Sequence, residues 1–205
     1  NEYVGIDIDL VKKIAELEGF EVEFRPMDFG GIIPALQSGQ VDAAIAGASI
    51  TEERKKSVDF SDPYYETGIV AVINSANTTI KAGKDLEGKK LAVKNGTAGA
   101  SYVEENLKGK SEAVTFKDTV SMFQAVTNNQ ADAAFEDYPV IAYALSKDPA
   151  SKLKIGTEKL TTGNYGFMVK KGSNPELVAK FNEGLKKLKA SGKYDEIVAK
   201  YVGKK

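Results

Sequence analysis

A twelve-residue pattern occurs twice in this 205-residue chain, and it constrains the fold more than any other feature. Residues 34–45 read Pro-Ala-Leu-Gln-Ser-Gly-Gln-Val-Asp-Ala-Ala-Ile, and residues 124–135 read Gln-Ala-Val-Thr-Asn-Asn-Gln-Ala-Asp-Ala-Ala-Phe. Each copy predicts a helix, a tight polar turn and a strand of small apolar residues. Chance similarity between two common αβ units is one explanation. The other is an α/β fold in which each of two lobes carries one copy.

The first copy leads into a polar stretch, residues 46–54. A strand end that runs into a helix start presents backbone N–H donors and the positive end of the helix dipole, which favours an anion. Ser49 adds a hydroxyl, and Arg54 adds a planar guanidinium that can pair with both oxygens of a carboxylate. Arg54 is therefore a candidate carboxylate clamp. The alternative is a surface arginine paired with Glu52 or Glu53, which contributes less than about 1 kcal/mol.

The second copy ends in Glu136 and Asp137. Ligands of open α/β sheets bind at the carboxyl ends of the strands. Arg54 after one strand would accept a carboxylate and Asp137 after the other an ammonium, and an α-amino acid carries both groups. The alternative role for Asp137 is a helix N-cap before Tyr138. The two roles are compatible, because a cap uses only part of a carboxylate's acceptor capacity.

The composition excludes several classes of function. The net charge is −1 and the lysines are interspersed with acidic residues, so we predict no nucleic-acid partner. The absence of Cys and His excludes cysteine nucleophiles, Ser-His-Asp triads and classical zinc sites. We predict no catalytic residue, no metal and no cofactor. The chain shows no signal peptide and begins at Asn1 rather than Met, so we expect a processed or trimmed product.

Hydrophobic periodicity predicts alternating helices and strands. Residues 68–74 form a continuous apolar run that is typical of a strand buried on both faces. Asn174 and Pro175 are a typical helix start. We expect residues 58–65 to be irregular. The predicted helices are 7–18, 32–36, 84–86, 101–107, 120–126, 138–146, 175–188 and 194–201, and the predicted strands are 22–24, 41–46, 68–74, 90–94, 113–116, 131–135 and 165–170.

The sequence resembles the polar amino-acid-binding family of bacterial solute-binding proteins, the receptor components of ABC importers, over nearly its whole length. Glutamine-binding members are the most similar, with arginine-binding members next. The resemblance implies a periplasmic-binding-protein type 2 fold, in which two lobes of mixed β-sheet flanked by helices are joined by two hinge strands. Lobe one would contain residues 1–72 and 167–205, and lobe two residues 73–166. The motifs that carry the resemblance are residues 2–10, 37–46, 49–54, 59–65 and 164–171.

The resemblance also implies a set of ligand-binding residues. Gly47, Ser49 and Arg54 would hold the ligand carboxylate, and Asp137 the ammonium. The full set is Phe29, Gly47, Ala48, Ser49, Arg54, Lys94, Thr97, Ala98 and Asp137.

Three of these residues have specific roles or alternatives. Thr97 would add a backbone or hydroxyl contact to the carboxylate. Phe29 would pack on the ligand side chain, although a plain core phenylalanine is the alternative. Lys94, if it lies at the pocket rim rather than on the surface, would disfavour a cationic ligand and so favour glutamine over arginine. Glu136 would act in the opposite direction.

The chain departs from the family pattern at its start. Family members have a further segment before the Glu2-Tyr3-Val4-Gly5 motif, which forms the first strand of lobe one and part of the pocket wall. Without it, lobe one would lack a strand and its neighbours would have unpaired edge groups. Either the segment was cut or omitted, or another chain supplies it.

We therefore predict a monomeric receptor that binds a polar L-amino acid, glutamine first and arginine next, and delivers it to ABC importer membrane subunits. It would lie in the periplasm or be anchored at the extracellular surface. One alternative is an enzyme on the same fold, similar to cyclohexadienyl dehydratase, which would need a carboxyl group of raised pKa such as Glu136. The other alternative is a ligand-sensing ectodomain.

Overall fold

A computed structural model describes residues 2–202. Its contacts divide the chain into two compact units. The first comprises Asn1–Met27, Gly31–Glu66 and Asn164–Lys205, and the second comprises Asp28–Gly30 and Thr67–Gly163. Within residues 2–202, no helix has both the length and the apolar composition needed to cross a membrane.

The described chain contains both helices and strands distributed along its length, as expected for an α/β protein. Two short 3₁₀ turns cover Phe29–Gly31 and Gly83–Leu86. The α-helices are α1 (Ile6–Glu18), α2 (Ile32–Ser38), α3 (Glu52–Lys55), α4 (Ala98–Asn106), α5 (Thr119–Thr127), α6 (Tyr138–Lys147), α7 (Pro175–Ala190) and α8 (Lys193–Val202). The strands are β1 (Ala43–Ala44), β2 (Val58–Phe60), β3 (Tyr65–Thr67), β4 (Ile69–Asn74), β5 (Lys90–Lys94), β6 (Glu112–Phe116), β7 (Ala133–Asp137), β8 (Leu153–Ile155), β9 (Gly163–Tyr165) and β10 (Met168–Lys170).

The first unit is built on a three-stranded antiparallel sheet of order β1-β10-β2. Helices α1 and α7 pack together beside it. Gly184 allows them to approach closely, since a Cβ at this position would lie only 2.7 Å from Ile14 Cγ2. Phe181 of α7 stacks on Phe167 with ring centroids 4.4 Å apart. This apolar contact joins the helix pair to the sheet.

The second unit has a five-stranded mixed sheet of order β6-β5-β7-β4-β8. Strand β5 runs parallel to β6 and β7, whereas β4 is antiparallel to β7 and β8. Ile69, Ala71 and Ile73 of β4 belong to one hydrophobic cluster, and Val70 and Val72 belong to another. Both faces of β4 are therefore buried, which confirms the prediction from its continuous apolar run.

The repeated sequence pattern forms the same local structure in both units. The first copy is α2, a turn and β1, and the second is α5, a turn and β7. Gly39 and Asn129 occupy equivalent positions in the two turns and have φ angles of 75° and 57°. The next residue donates in each case to the helix, from Gln40 to Ala35 O (2.9 Å) and from Gln130 to Ala125 O (2.7 Å). The repeat is thus structural as well as sequential.

Several predicted strands differ from those observed. Residues 22–24 alternate in exposure but form no strand, because no other strand pairs with them. The strand predicted at 41–46 is reduced to Ala43–Ala44, which are the two residues that pair with β10. The strand predicted at 165–170 is divided between β9 and β10.

Other differences concern short elements. Strands β2 and β8 have three residues each, and they were not predicted because their sequences are too short to show a period. Residues 58–65, expected to be irregular, contain all of β2 and the start of β3. Asn174 does precede α7, but with φ 48° and without a capping side-chain hydrogen bond. Strands β3 and β9 pair where the chain leaves the first unit and returns to it.

Candidate functional site

The first group of predicted site residues follows β1 in the first unit. The amide of Ile50 donates to the carbonyl of Asn164 at 2.8 Å. Ser49 forms an isolated antiparallel bridge with Tyr165 and is only 7% exposed, while Ala48 is fully buried. Pairing of this kind restricts the backbone of the segment, so the Ser49 side chain starts from a fixed position.

Arg54 lies beside Ser49. Its Nη1 donates to the Ser49 carbonyl oxygen at 2.7 Å. Thr51 is the N-cap of α3, and its hydroxyl accepts from the Arg54 amide at 3.2 Å. A guanidinium has five N–H donors in a rigid fork, and the bond to Ser49 orients that fork.

The alternative for Arg54 was a surface ion pair with Glu52 or Glu53, but both of these residues pair with lysines. Glu52 pairs with Lys55 at 2.7 Å, and Glu53 pairs with Lys56. All four side chains are exposed, whereas Arg54 is half-buried. The structure therefore favours a role for Arg54 at the Ser49 segment.

Gly47 is held by a residue that the sequence analysis did not select. Its amide donates to Asp7 Oδ2 at 2.7 Å and to the Tyr64 hydroxyl at 3.2 Å. Its φ angle is 55°, and a Cβ here would lie 3.4 Å from the Tyr165 ring, so glycine suits the position. Burial raises the pKa of the Asp7 carboxyl to about 6, although the hydrogen bonds from Tyr64 and Gly47 oppose this shift.

One sequence feature includes Asp7 but does not identify its role. It lies in the 2–10 motif that carries the family resemblance, yet it sits forty positions from Gly47 and no local pattern connects the two. Acidic residues in the first turn of a helix are common for dipole reasons alone. Asp7 was therefore indistinguishable from an ordinary first-turn acid until its partner was known.

The second group of predicted residues lies in the second unit, after β5. Thr97 caps α4: its hydroxyl accepts from the Ala100 amide at 3.2 Å and donates to the Lys94 carbonyl at 2.7 Å. In the described chain, the amides of Ala98 and Gly99 make no hydrogen bond. Such first-turn amides are suitable donors for an anionic group. The Thr97 hydroxyl, in contrast, is already used in the capping turn.

Asp137 occupies the N-cap position of α6 but makes no capping hydrogen bond. Its Oδ1 instead accepts from the Thr67 hydroxyl at 2.7 Å, and the residue is only 8% exposed. Asp137 therefore stands at the N-cap position of α6, but its side chain does not cap the helix. The bond from Thr67 therefore fixes the orientation of a carboxylate that has about four acceptor sites in all.

Lys94 and Glu136 form an ion pair in the same unit. Lys94 Nζ lies 3.3 Å from Glu136 Oε2 and donates to the Thr119 hydroxyl at 2.7 Å, and that hydroxyl donates to Glu136 at 2.8 Å. Lys94 Nζ is also 5.9 Å from the centroid of the Phe29 ring. Because Glu136 is nearly fully buried, the pair neutralises both charges locally. Lys94 is therefore not an isolated positive charge.

The predicted site residues thus form one group in each unit. Gly47, Ala48, Ser49 and Arg54 adjoin one another in the first unit. Phe29, Lys94 and Thr97 are connected in the second unit, where Ala98 follows Thr97. Asp137 lies at the end of β7, next to Glu136. Among residues 2–202, no group of three or more acidic side chains is arranged to hold a metal ion.

Comparison with known proteins agrees with this architecture. Residues 1–204 match the family of bacterial extracellular solute-binding proteins, family 3. The ABC transporter arginine-binding protein 1 of Escherichia coli (strain K12) is 34% identical over 202 residues, covering 96% of this chain and 81% of that protein. The ABC transporter glutamine-binding protein GlnH of Bacillus subtilis (strain 168) is 34% identical over 205 residues, covering 98% and 73%.

A solved structure extends the likeness to three dimensions. It is an ancestral arginine-binding protein bound to glutamine, with a TM-score of 0.92 and 42% sequence identity. The alignment covers 100% of this chain and 90% of that one. The fold is therefore the two-lobed α/β fold of the amino-acid-binding proteins, as predicted.

Proposed function

Because the chain belongs to family 3 of the bacterial extracellular solute-binding proteins, we propose that it binds a polar L-amino acid outside the cytoplasm and delivers it to an ABC importer. The proteins it resembles are solute-binding proteins of transport systems, and the chain is a solute-binding protein rather than an enzyme. The two compact units are the two lobes in this proposal, and the paired strands β3 and β9 are its hinge.

The observation that carries the proposal is the pair of opposite charges at two strand ends. In the first unit, Arg54 is oriented by Ser49 and would pair with the ligand carboxylate. In the second unit, Asp137 is buried and oriented by Thr67, and it would accept hydrogen bonds from the ligand ammonium. The amide of Ala98 would add a donor for the carboxylate. These groups recognise what all α-amino acids share.

The ligand side chain is then recognised by the remaining residues. Phe29 offers an aromatic surface, and Lys94 with Glu136 offers a polar group of no net charge. A neutral polar side chain such as the amide of glutamine suits these partners, because neither charge of the pair is left without compensation. Glutamine is therefore the ligand we propose, with arginine second. The relatives include proteins named for each, and the ancestral arginine-binding protein was solved with glutamine.

A thermal-shift screen of the protein against the twenty amino acids tests the proposal. A ligand at 100 times its dissociation constant stabilises the folded state by about 2.7 kcal/mol. Glutamine should give the largest shift and arginine a smaller one. A larger shift with arginine would reverse the order of ligands, and no shift with any amino acid would reject the proposed function.

A further inference from the structure

Asn95 and Gly96 form a turn at the end of β5, and they are the only Asn-Gly pair in the sequence. Both residues are exposed, and Gly96 has a φ angle of 72°. The Lys94 carbonyl closes the turn, because it accepts from the Thr97 amide at 3.3 Å and from the Thr97 hydroxyl at 2.7 Å. Glycine adopts the left-handed conformation at position 96 without strain.

An asparagine that precedes a glycine can react with its own backbone. The backbone nitrogen of the glycine attacks the side-chain carbon Cγ, and a five-membered succinimide ring forms while ammonia leaves with the proton of that nitrogen. Water then adds to one ring carbonyl and breaks its C–N bond, which gives aspartate or its β-linked isomer, isoaspartate. One ammonia is lost and one water is gained, with no oxidation. Glycine favours the attack because it has no Cβ to hinder its nitrogen.

The fold protects a second asparagine that also precedes a small residue. Asn74 is followed by Ser75, but its Nδ2 donates to the Thr127 carbonyl at 3.3 Å. The Ser75 amide, which would have to attack, donates to the Lys152 carbonyl at 2.8 Å. In the part of the chain that the structure describes, the Asn95 side chain makes no hydrogen bond. Asn74 is therefore an internal comparison for the reactivity of Asn95.

Asn95 lies beside the residues that we assign to the ligand side chain. A Cβ on Gly30 would be only 2.7 Å from Asn95 Nδ2, so the Asn95 side chain rests on the residue that follows Phe29. Lys94 Nζ lies 5.9 Å from the centroid of the Phe29 ring and pairs with Glu136 at 3.3 Å. This pair has no net charge. Conversion of Asn95 to aspartate or isoaspartate would add one negative charge beside it.

We propose that Asn95 deamidates spontaneously, and that its conversion moves the ligand preference of the protein from neutral toward cationic amino acids. The first part depends only on the turn. The second part rests on the proposed function, in which Phe29, Lys94 and Glu136 recognise the ligand side chain. An added negative charge attracts the guanidinium of arginine but has little effect on the uncharged amide of glutamine. Both ligands carry the same carboxylate and ammonium, so the effect of the charge on these groups cancels in the ratio of the two affinities.

Incubation of the folded protein at pH 8, followed by digestion and peptide mass spectrometry, tests the first part. Exchange of ammonia for water raises the mass of a peptide by about 1 Da, and we expect this gain at Asn95 but not at Asn74. The gain should be slower at pH 5, because the attacking nitrogen must be deprotonated. Asn95→Gln is the matched control, since its longer side chain would have to form a six-membered ring. No gain at Asn95, or an equal gain at Asn74, would overturn this part.

Isothermal titration calorimetry with arginine and with glutamine tests the second part. The ratio of arginine affinity to glutamine affinity should rise about threefold or more in Asn95→Asp and in the aged protein, but not in Asn95→Gln. Asn106→Asp should leave the ratio unchanged, because it adds the same charge at the exposed far end of α4. An unchanged ratio in Asn95→Asp would overturn this part. If the parent protein bound neither ligand, the proposed function and the second part would both be rejected, while the mass measurement would still decide the first part.

Discussion

At the scale of single residues, the candidate site depends on hydrogen bonds that orient charged groups. Arg54 is oriented by a carbonyl five residues earlier, and Asp137 by a hydroxyl seventy residues earlier. Asp7 orients Gly47 from forty residues away. Arg54 and Asp137 could be selected from the sequence alone. Arg54 is one of only two arginines, and Asp137 follows the end of a predicted strand. Their partners could not.

Substitution of Arg54 by alanine should weaken amino-acid binding about 100-fold or more, because a charge-assisted bidentate pair is lost. Isothermal titration calorimetry with the best ligand of the screen measures the effect. Arg25→Ala is the matched control, since Arg25 is the other arginine of the chain and is exposed. It should leave the affinity unchanged. Equal affinities for Arg54→Ala and the parent protein would reject the clamp.

Asp137→Asn retains the shape of the side chain but removes the charge that would face an ammonium. Affinity should fall about 30-fold or more, a loss of at least about 2 kcal/mol. Asp118→Asn is the control in the same unit, because Asp118 caps α5 by accepting from the Ser121 amide at 2.8 Å. Asparagine is also a good N-cap, so this variant should bind normally. Normal binding by Asp137→Asn as well would restrict Asp137 to a structural role.

Asp7 should make stability depend on pH. Its pKa is about 6 in the folded protein against 3.8 for an aspartate in the unfolded chain, so between these values the folded state holds a proton that the unfolded chain has lost. The contribution of Asp7 is fully present below pH 3.8 and is lost as the pH rises through 6, by at most about 3 kcal/mol.

Urea unfolding at pH 4, 5, 6 and 7 of the parent protein and Asp7→Asn measures this contribution. The stability of the parent relative to the variant should decrease across that range. The difference isolates Asp7 from carboxyls such as Asp9 and Asp59, whose pKa values are lowered and whose effect has the opposite sign. Parallel pH profiles would show that Asp7 does not titrate as stated.

At the scale of elements, local turns were predictable and strand pairing was not. The two copies of the repeat form the same helix, turn and strand start because a helix and its terminating turn bond within a few residues. Residues 22–24 show the opposite case. Their alternation predicted a strand, but a strand exists only when another segment supplies the matching donors and acceptors.

The turns themselves can be tested at Gly39. Its φ of 75° is unfavourable for a residue with a Cβ, although nothing lies within 4 Å of that position, so Gly39→Ala should destabilise the protein by about 1 kcal/mol through backbone strain alone. Gly31→Ala is the control, because Gly31 has equal space and a φ of −87°. It should change stability by less than about 0.5 kcal/mol. If both variants lost the same stability, the left-handed conformation of Gly39 would not be the cause of the loss.

At the scale of the whole molecule, the two units differ in how the chain builds them. Every strand of the five-stranded sheet comes from residues 67–163. The only other residues of the second unit are Asp28–Gly30. The first unit combines segments from both ends of the chain. Its sheet pairs β1 and β2 with β10, more than 100 residues later.

A fragment of residues 67–163 should therefore fold on its own. It retains the hydrophobic clusters on both faces of its sheet. Circular dichroism and cooperative urea unfolding of this fragment should show a native-like α/β domain, whereas a fragment of residues 1–66 should remain unfolded. A disordered 67–163 fragment, or a folded 1–66 fragment, would contradict this division.

The sequence alone determined the features that rest on neighbouring residues. These are the helices, the repeated turns, the two-sided burial of β4 and the choice of Arg54 and Asp137 as charged candidates. The tertiary structure decided which alternating segments became strands, that Asp137 bonds Thr67 instead of capping its helix, that Lys94 is neutralised by Glu136, and that Asp7 holds Gly47. The physical reason is range. Helix and turn bonds connect residues a few positions apart, whereas strand pairing, burial and side-chain partners join segments that only the folded chain brings together.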